Sequence, residues 1–275
     1  MPAVAFLLAG GAAFVHAAWN VLVARARDPE AATALGAVAG SVLLAPVAAA
    51  TWDVRAAAVP YIAASAVLHV GYFGFLAGGY AAGELSSVYP LARGTAPVLV
   101  LLVSVAFLGV HVSAPAAAGV LAIAGGVIAI RGVRREAAAG GVALALLCGV
   151  TIAAYTLVDK EGLKHAAAIS YLGAMIPAPA LAYLLMVRRR RPAREIRAAF
   201  GPISVLVGCG MVGAYALALA ALTHAPAAPV SAVRESSVLI ATAFAAPSNC
   251  FISKISWSTS GESSTTSSTS VCGLK

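Results

Sequence analysis

Seven long stretches of this chain carry no Asp, Glu, Lys or Arg: residues 1–24, 31–52, 56–83, 94–130, 137–158, 166–187 and 198–233. A helix needs about 20 mostly apolar residues to cross the hydrocarbon core of a bilayer, and every one of these stretches is long enough. Only 10% of the 275 residues are charged, against about 25% in a soluble domain. A water-soluble protein this poor in charge could hardly cover its own surface. The pattern predicts an all-α, polytopic membrane helix bundle.

We place nine spans, at roughly 3–23, 31–50, 57–80, 87–108, 114–131, 138–158, 167–187, 199–222 and 228–246. The short connections imply antiparallel neighbours. Gly and Ala are abundant, and small residues let helices approach closely in lipid. The formal charge is +8, but the basic residues cluster at span ends, where headgroups and the orientation rule account for them. Nucleic acid is therefore not an expected partner; the lipid bilayer is. Loops 1–2, 5–6 and 7–8 carry eleven Arg, including the run RRRRPAREIR, whereas loops 2–3 and 6–7 carry three Lys or Arg. The arginine-rich side is expected to be cytoplasmic and the N-terminus outside. The first span lacks a basic n-region and reads as retained. Cys148 and Cys209 fall in spans, and Cys250 and Cys272 lie near the C-terminus. Their spacing gives no metal site, and no cofactor is expected.

An internal repeat is visible. Residues 17–23, AAWNVLV, resemble residues 153–159, AAYTLVD; YPLARGTAPVL around Arg93 resembles VSAVRESSVLI around Arg234. Spans 1 and 4 thus echo spans 6 and 9. Five spans per repeat is an odd number, which inverts the second half relative to the first, as in many secondary transporters. The expected units are 1–133 (spans 1–5) and 137–246 (spans 6–9), the second lacking its tenth span. In residues 247–275, fourteen of 29 are Ser or Thr and none is Ala. Such a segment is too polar to span and reads as disordered. It is expected to be foreign to a transporter chain, as a frameshift or fusion after span 9 would leave it; a genuine Ser/Thr-rich extension of a nine-span protein is the alternative.

Ionisable groups inside spans mark pathways or sites, because an Arg at a helix centre costs roughly 2.5–3.5 kcal/mol on insertion scales. Arg93 lies about six residues into span 4, between Pro90 and Pro97, which deprive the helix of backbone donors. A guanidinium beside freed carbonyls can hold a carboxylate or phosphate; alternatively Arg93 snorkels, or pairs internally with Glu84. Arg234 and Glu235 hold the matching place in span 9. Neighbours on a helix point about 100° apart and need not pair with each other, and an Arg93–Glu235 pair across the repeat is attractive. A carboxylate in a cavity can also take up a proton, which suits proton-coupled transport. His16, Trp19 and Asn20 share one helix face at i, i+3, i+4, and His69 and Tyr72 form a similar pair in span 3. Tyr155 repeats Trp19. Each of these can touch a ligand or act as packing glue. Tyr61 and Tyr171 read as interface anchors, and Asp159-Lys160-Glu161 as a solvated helix end.

These residues together resemble the EamA branch of the drug/metabolite transporter superfamily. The resemblance covers residues 1 to about 246. It rests on HAAWNVLVAR in span 1, HVGYFGFLAGGYAAGELSSVYPLARGTAPVLV in spans 3–4, AAYTLVDK in span 6 and APAAPVSAVRESSVLIATAFAA in span 9. It implies ten spans in two inverted five-helix repeats, a central cavity lined by spans 1, 3, 4, 6, 8 and 9, and alternating access. A homodimer belongs to the same expectation. The chain departs from the family twice. The connection after span 4 reads LGVH rather than LGE, and span 10 is replaced by the polar segment.

The expected function is that of a secondary transporter for a small polar metabolite, anionic or zwitterionic, in a bacterial cytoplasmic membrane. The candidate substrate-binding residues are Arg93, Arg234, Glu235, His16, Trp19, Asn20, His69, Tyr72 and Tyr155. A transporter fragment that is inactive, or depends on a partner, is the alternative. A membrane enzyme needs a nucleophile with its base, a metal cluster or paired carboxylates in one cavity. The serines lack a His/Asp setting and the acids are scattered, so no catalytic residue is expected.

Overall fold

A computed structural model describes residues 1–81, 85–131 and 139–245. Glu84 and the polar segment 247–275 lie outside these residues, and so do the expectations attached to them. The first six spans are single helices: α1 (Ala3–Arg25), α2 (Pro29–Ala50), α3 (Val59–Ala81), α4 (Leu85–Ala106), α5 (Ala114–Arg131) and α6 (Ala139–Gly162). The seventh is divided into α7 (Ala168–Met175) and α8 (Pro177–Arg190). A short α9 (Ala193–Ala198) leads into α10 (Pro202–His224), and the ninth span is divided into α11 (Ala227–Glu235) and α12 (Ser237–Ala245).

Among the described residues, six segments are long and apolar enough to cross a membrane: Ala3–Arg25, Pro29–Ala50, Ala56–Leu76, Gly140–Gly162, Ala168–Arg190 and Pro202–His224. Leu91–Ala106 and Ala114–Ala129 are apolar but shorter. Large apolar side chains cover the outside: Leu7 and Val67 are each 71% exposed and Phe107 is 81% exposed. Exposure on this scale suits lipid rather than water. The described residues form an all-helical bundle with the apolar surface of an integral membrane protein.

Local chemistry sets the boundaries. Asp28 caps α2 by accepting from the Ala31 amide at 3.1 Å, with Pro29 at the first helical position. Gly109, at φ 62°, supplies the left-handed residue in the connection after α4, where Val110 N donates back to Ser104 O at 2.9 Å. Pro177 has no N–H to continue the helix from α7. The division between α11 and α12 has another cause. The Ser236 hydroxyl bonds the Val233 carbonyl at 2.6 Å, and the Ser236 amide is shared between Ala232 and Val233. This tightens the last turn of α11.

The helices pair selectively. α1 packs on α10, α3 on α6, and α6 also on α4; α10 packs on α2, and α8 on both α2 and α3. α11 crosses α4, α5 and α1, and α12 lies on α1. The α2–α10 crossing is close enough to require glycine. A Cβ on Gly36 would lie 2.9 Å from the Ser204 carbonyl oxygen, and one on Gly40 would lie 2.5 Å from that of Gly208.

Both ends of the α2–α8 seam are tied. At one end the 51–55 loop meets the 165–170 segment. Arg55 N donates to His165 O and Ala167 N to Asp53 O, each at 3.0 Å, and Ser170 Oγ donates to Thr51 O at 2.7 Å. At the other end Arg191 pairs with Asp28 and, at 3.3 Å, with Glu30, while Arg190 lies 3.7 Å from Glu30.

Candidate functional site

α4 and α11 bring their charged residues to one place in the bundle. Pro97 supplies no N–H to the carbonyl of Arg93 one turn earlier, and Arg234 and Glu235 occupy the last turn of α11, beside its division from α12. The Arg93 side chain is 5% exposed and that of Glu235 is fully buried. Arg93 Nη1 donates to both carboxylate oxygens of Glu235, at 2.9 and 3.1 Å. Arg234, with a side chain 8% exposed, donates to the same carboxylate at 3.0 Å. Adjacent residues 234 and 235 do pair, although their 100° separation does not require it, because long side chains at a helix end can turn towards each other. The C-terminal end of a helix also favours a cation.

Two buried guanidiniums share the Glu235 carboxylate. Burying an ion is costly unless it is paired and hydrogen-bonded. A shared acid between two arginines from the two halves of the chain is the feature of the site that most needs a chemical explanation.

α1 supplies the next layer. Arg93 Nη2 donates to His16 Nε2 at 2.7 Å. The histidine therefore acts as an acceptor at Nε2, which leaves its ring N–H at Nδ1. Trp19 meets the His16 ring edge-on, with centroids 4.8 Å apart. Its indole N–H is buried and has no hydrogen-bond partner among the described residues; the same holds for the hydroxyls of Ser231 on α11 and Ser237 on α12. Buried polar atoms without a partner are rare in native structures; Trp19 lies on the helix of His16, Ser231 on that of Arg234, and Ser237 at the start of α12. Asn20 shares the face of His16, but its amide is spent on the His16 carbonyl at 2.7 Å.

α6 and α3 extend the cluster. The Arg234 guanidinium lies over the Tyr155 ring, 5.8 Å from its centroid, and its Nη2 is 3.5 Å from the Tyr155 hydroxyl. His69 stacks on the other side of this network, 4.0 Å from the Tyr155 ring, and donates Nδ1–H to the Ser65 carbonyl at 2.8 Å. Tyr72 meets Tyr155 edge-on at 6.4 Å. Of the nine residues singled out in the sequence, Arg93, Arg234, Glu235, His16 and Tyr155 are linked directly by polar contacts. Trp19, His69 and Tyr72 join through rings, and Asn20 is turned to its own helix.

One acid lies deeper than its sequence neighbours suggest. Asp159 is fully buried, not a solvated helix end. α6 continues to Gly162, which keeps Asp159 inside the bundle one turn beyond Tyr155. Its carboxylate accepts hydrogen bonds from Tyr171 on α7, at 2.9 Å, and from Tyr215 on α10. Tyr171 is likewise fully buried and is no interface anchor, while Tyr61 stacks on His165 at 5.9 Å. The i, i+4 spacing of Tyr155 and Asp159 was the available signal; flanking Lys160 and Glu161 masked it. Lys160 bonds the Leu222 and Ala225 carbonyls at the end of α10, and Glu161 pairs with Lys164 at the surface. Compared with known proteins, the chain matches no family model and no curated protein.

Proposed function

We propose that this chain is a secondary transporter of the EamA type in the drug/metabolite transporter superfamily. It moves a small polar metabolite, anionic or zwitterionic, across the bacterial cytoplasmic membrane by alternating access. The observation that carries the reading is the pair of buried guanidiniums, Arg93 and Arg234, gathered around Glu235 within an apolar helix bundle, with the Trp19 indole N–H, unmet among the described residues, on the helix of His16. A carboxylate, phosphate or phosphonate on the substrate is held by such guanidiniums through charge-assisted hydrogen bonds.

The helix pairings support two inverted halves. Exchange α1 with α6, α2 with α7–α8, α3 with α10, and α4 with α11–α12. The α1–α10 contact then becomes α6–α3, α4–α6 becomes α11–α12 on α1, and α2–α10 becomes α7–α8 on α3; every one of these contacts is present. The tied loops exchange as well, the backbone pairing at one end for the ion pairs at the other. Arg93 and the Arg234–Glu235 pair fall at exchanged positions. A substrate site between inverted repeats, at broken helices, is the arrangement from which alternating access follows.

Uptake into proteoliposomes tests the reading, with radiolabelled amino acids, organic acids, phosphonates and sugar phosphates offered in turn. Saturable accumulation of at least one acid, absent from protein-free liposomes, is expected. No accumulation of any of them by folded protein overturns it.

A further inference from the structure

The guanidinium cluster leaves Asp159 unused. This carboxylate is fully buried, and no cation lies within ion-pair distance of it among the described residues. Its two partners are both phenols, Tyr171 on Oδ1 and Tyr215 on Oδ2. A buried charge held only by neutral donors is poorly compensated.

The surroundings already hold what a neutral Asp159 needs. The Tyr171 hydroxyl lies 2.9 Å from Asp159 Oδ1 and 3.2 Å from the main-chain carbonyl of Tyr61. With Asp159 ionised, Tyr171 donates to the carboxylate. With a proton on Oδ1, the Tyr171 hydrogen turns to the Tyr61 carbonyl, and its oxygen accepts from Asp159. Tyr215 donates to Oδ2 in both forms. Neither form leaves a buried donor or acceptor unmet, so one proton comes and goes without repacking.

The remaining groups around it are accounted for. From α3, His69 donates to Ser65 and meets Tyr215 edge-on at 5.3 Å. On α6 itself, Lys160 is engaged by the α10 carbonyls and Tyr155 faces Arg234. Arg93 of α4 and Arg234 of α11 are engaged by Glu235.

We propose that Asp159 is a proton-binding site, switched by Tyr171 and joined to the guanidinium cluster through Tyr215, His69 and Tyr155. The proton adds to a carboxylate oxygen and forms an O–H bond; no bond is broken in the chain. This rests on the transport reading, since it names the ion that transport would be coupled to. Its test needs no transport, so the two can fail separately.

The test is pH-difference infrared spectroscopy of the full chain in lipid. Acidification is expected to produce a carboxylic C=O band that disappears in Asp159→Asn and persists in Glu235→Gln. In Tyr215→Phe the band should move to higher frequency, because the C=O loses a donor. An unaltered spectrum in Asp159→Asn, or loss of the band in Glu235→Gln instead, overturns the proposal. If Asp159→Asn does not fold, Tyr215→Phe decides: a band that stays where it was overturns the assignment.

Discussion

Arg93 and Glu235 are 142 positions apart in the chain, yet one guanidinium nitrogen of Arg93 touches both carboxylate oxygens of Glu235, at 2.9 and 3.1 Å. The contact joins α4 to α11, hence the first half of the chain to the second. Glu235 also receives Arg234, so one acid serves two bases. That asymmetry makes the three residues unequal. Glu235→Gln removes the carboxylate that two buried guanidiniums share and should cost about 3–5 kcal/mol of unfolding free energy. Arg93→Gln leaves Glu235 paired with Arg234 and should cost clearly less. Equal losses in denaturant unfolding of the two purified variants would contradict the assigned pairing.

Trp19→Phe separates packing from hydrogen bonding. The ring contact with His16 is kept, while the unpartnered indole N–H is removed. Folding stability should hold within about 0.5 kcal/mol. Affinity for an acidic ligand should fall by the worth of one hydrogen bond, about 1 kcal/mol or roughly five-fold. Titration of parent and variant with the same ligand measures this, and undiminished affinity removes Trp19 from the site.

The ion pairs at the arginine-rich end are half-exposed, with the Arg191 side chain 37% accessible. Arg191→Ala should cost only about 0.5–1 kcal/mol at low salt. The loss should disappear near 1 M salt, where screening acts over about 3 Å. The buried Arg93–Glu235 pair should show no such dependence. Unfolding of both variants at two salt concentrations compares them; a salt-independent loss in Arg191→Ala would mean that its role is packing.

Gly40→Val should be among the most damaging single changes outside the charged cluster. Its Cβ alone would lie 2.5 Å from the Gly208 carbonyl oxygen, so α2 and α10 must separate, at a cost of about 1–3 kcal/mol or more. Gly125→Ala is the control, since a Cβ there meets nothing within 4 Å. It should be neutral or slightly stabilising, by up to about 1 kcal/mol. Thermal unfolding in one detergent ranks them, and tolerance of Gly40→Val would refute the close crossing.

The helices were legible because charge is so scarce: each charge-free run is long enough for at least one span, and Arg93, Arg234 and Glu235 stood out as exceptions inside apolar sequence. What escaped was tertiary. Asp159 sits next to Lys160 and Glu161, so its neighbours in sequence look like a wet helix end. Only the folded positions of Tyr171 and Tyr215 make it an interior group. The division at Pro177 has a sequence cause that can be read in advance, whereas the one at Ser236 depends on a hydroxyl choosing a backbone carbonyl. Pairing of Arg234 with its neighbour Glu235 was likewise hidden, since helix angles say nothing about how long side chains bend.

The most direct test of the anion site is thermal unfolding of the purified chain with a panel of amino acids, organic acids, phosphonates and neutral sugars, alongside Arg93→Gln and Arg93→Lys. A ligand that binds only the folded state raises the midpoint by mass action. Arg93→Gln removes one positive charge from the Arg93–Arg234–Glu235 cluster, whereas Arg93→Lys keeps it. We predict a midpoint rise with at least one acid and none with neutral sugars, lost in Arg93→Gln and partly kept in Arg93→Lys. An equal rise in parent and Arg93→Gln, or a rise with neutral sugars alone, would contradict a substrate site built on the Arg93 and Arg234 guanidiniums.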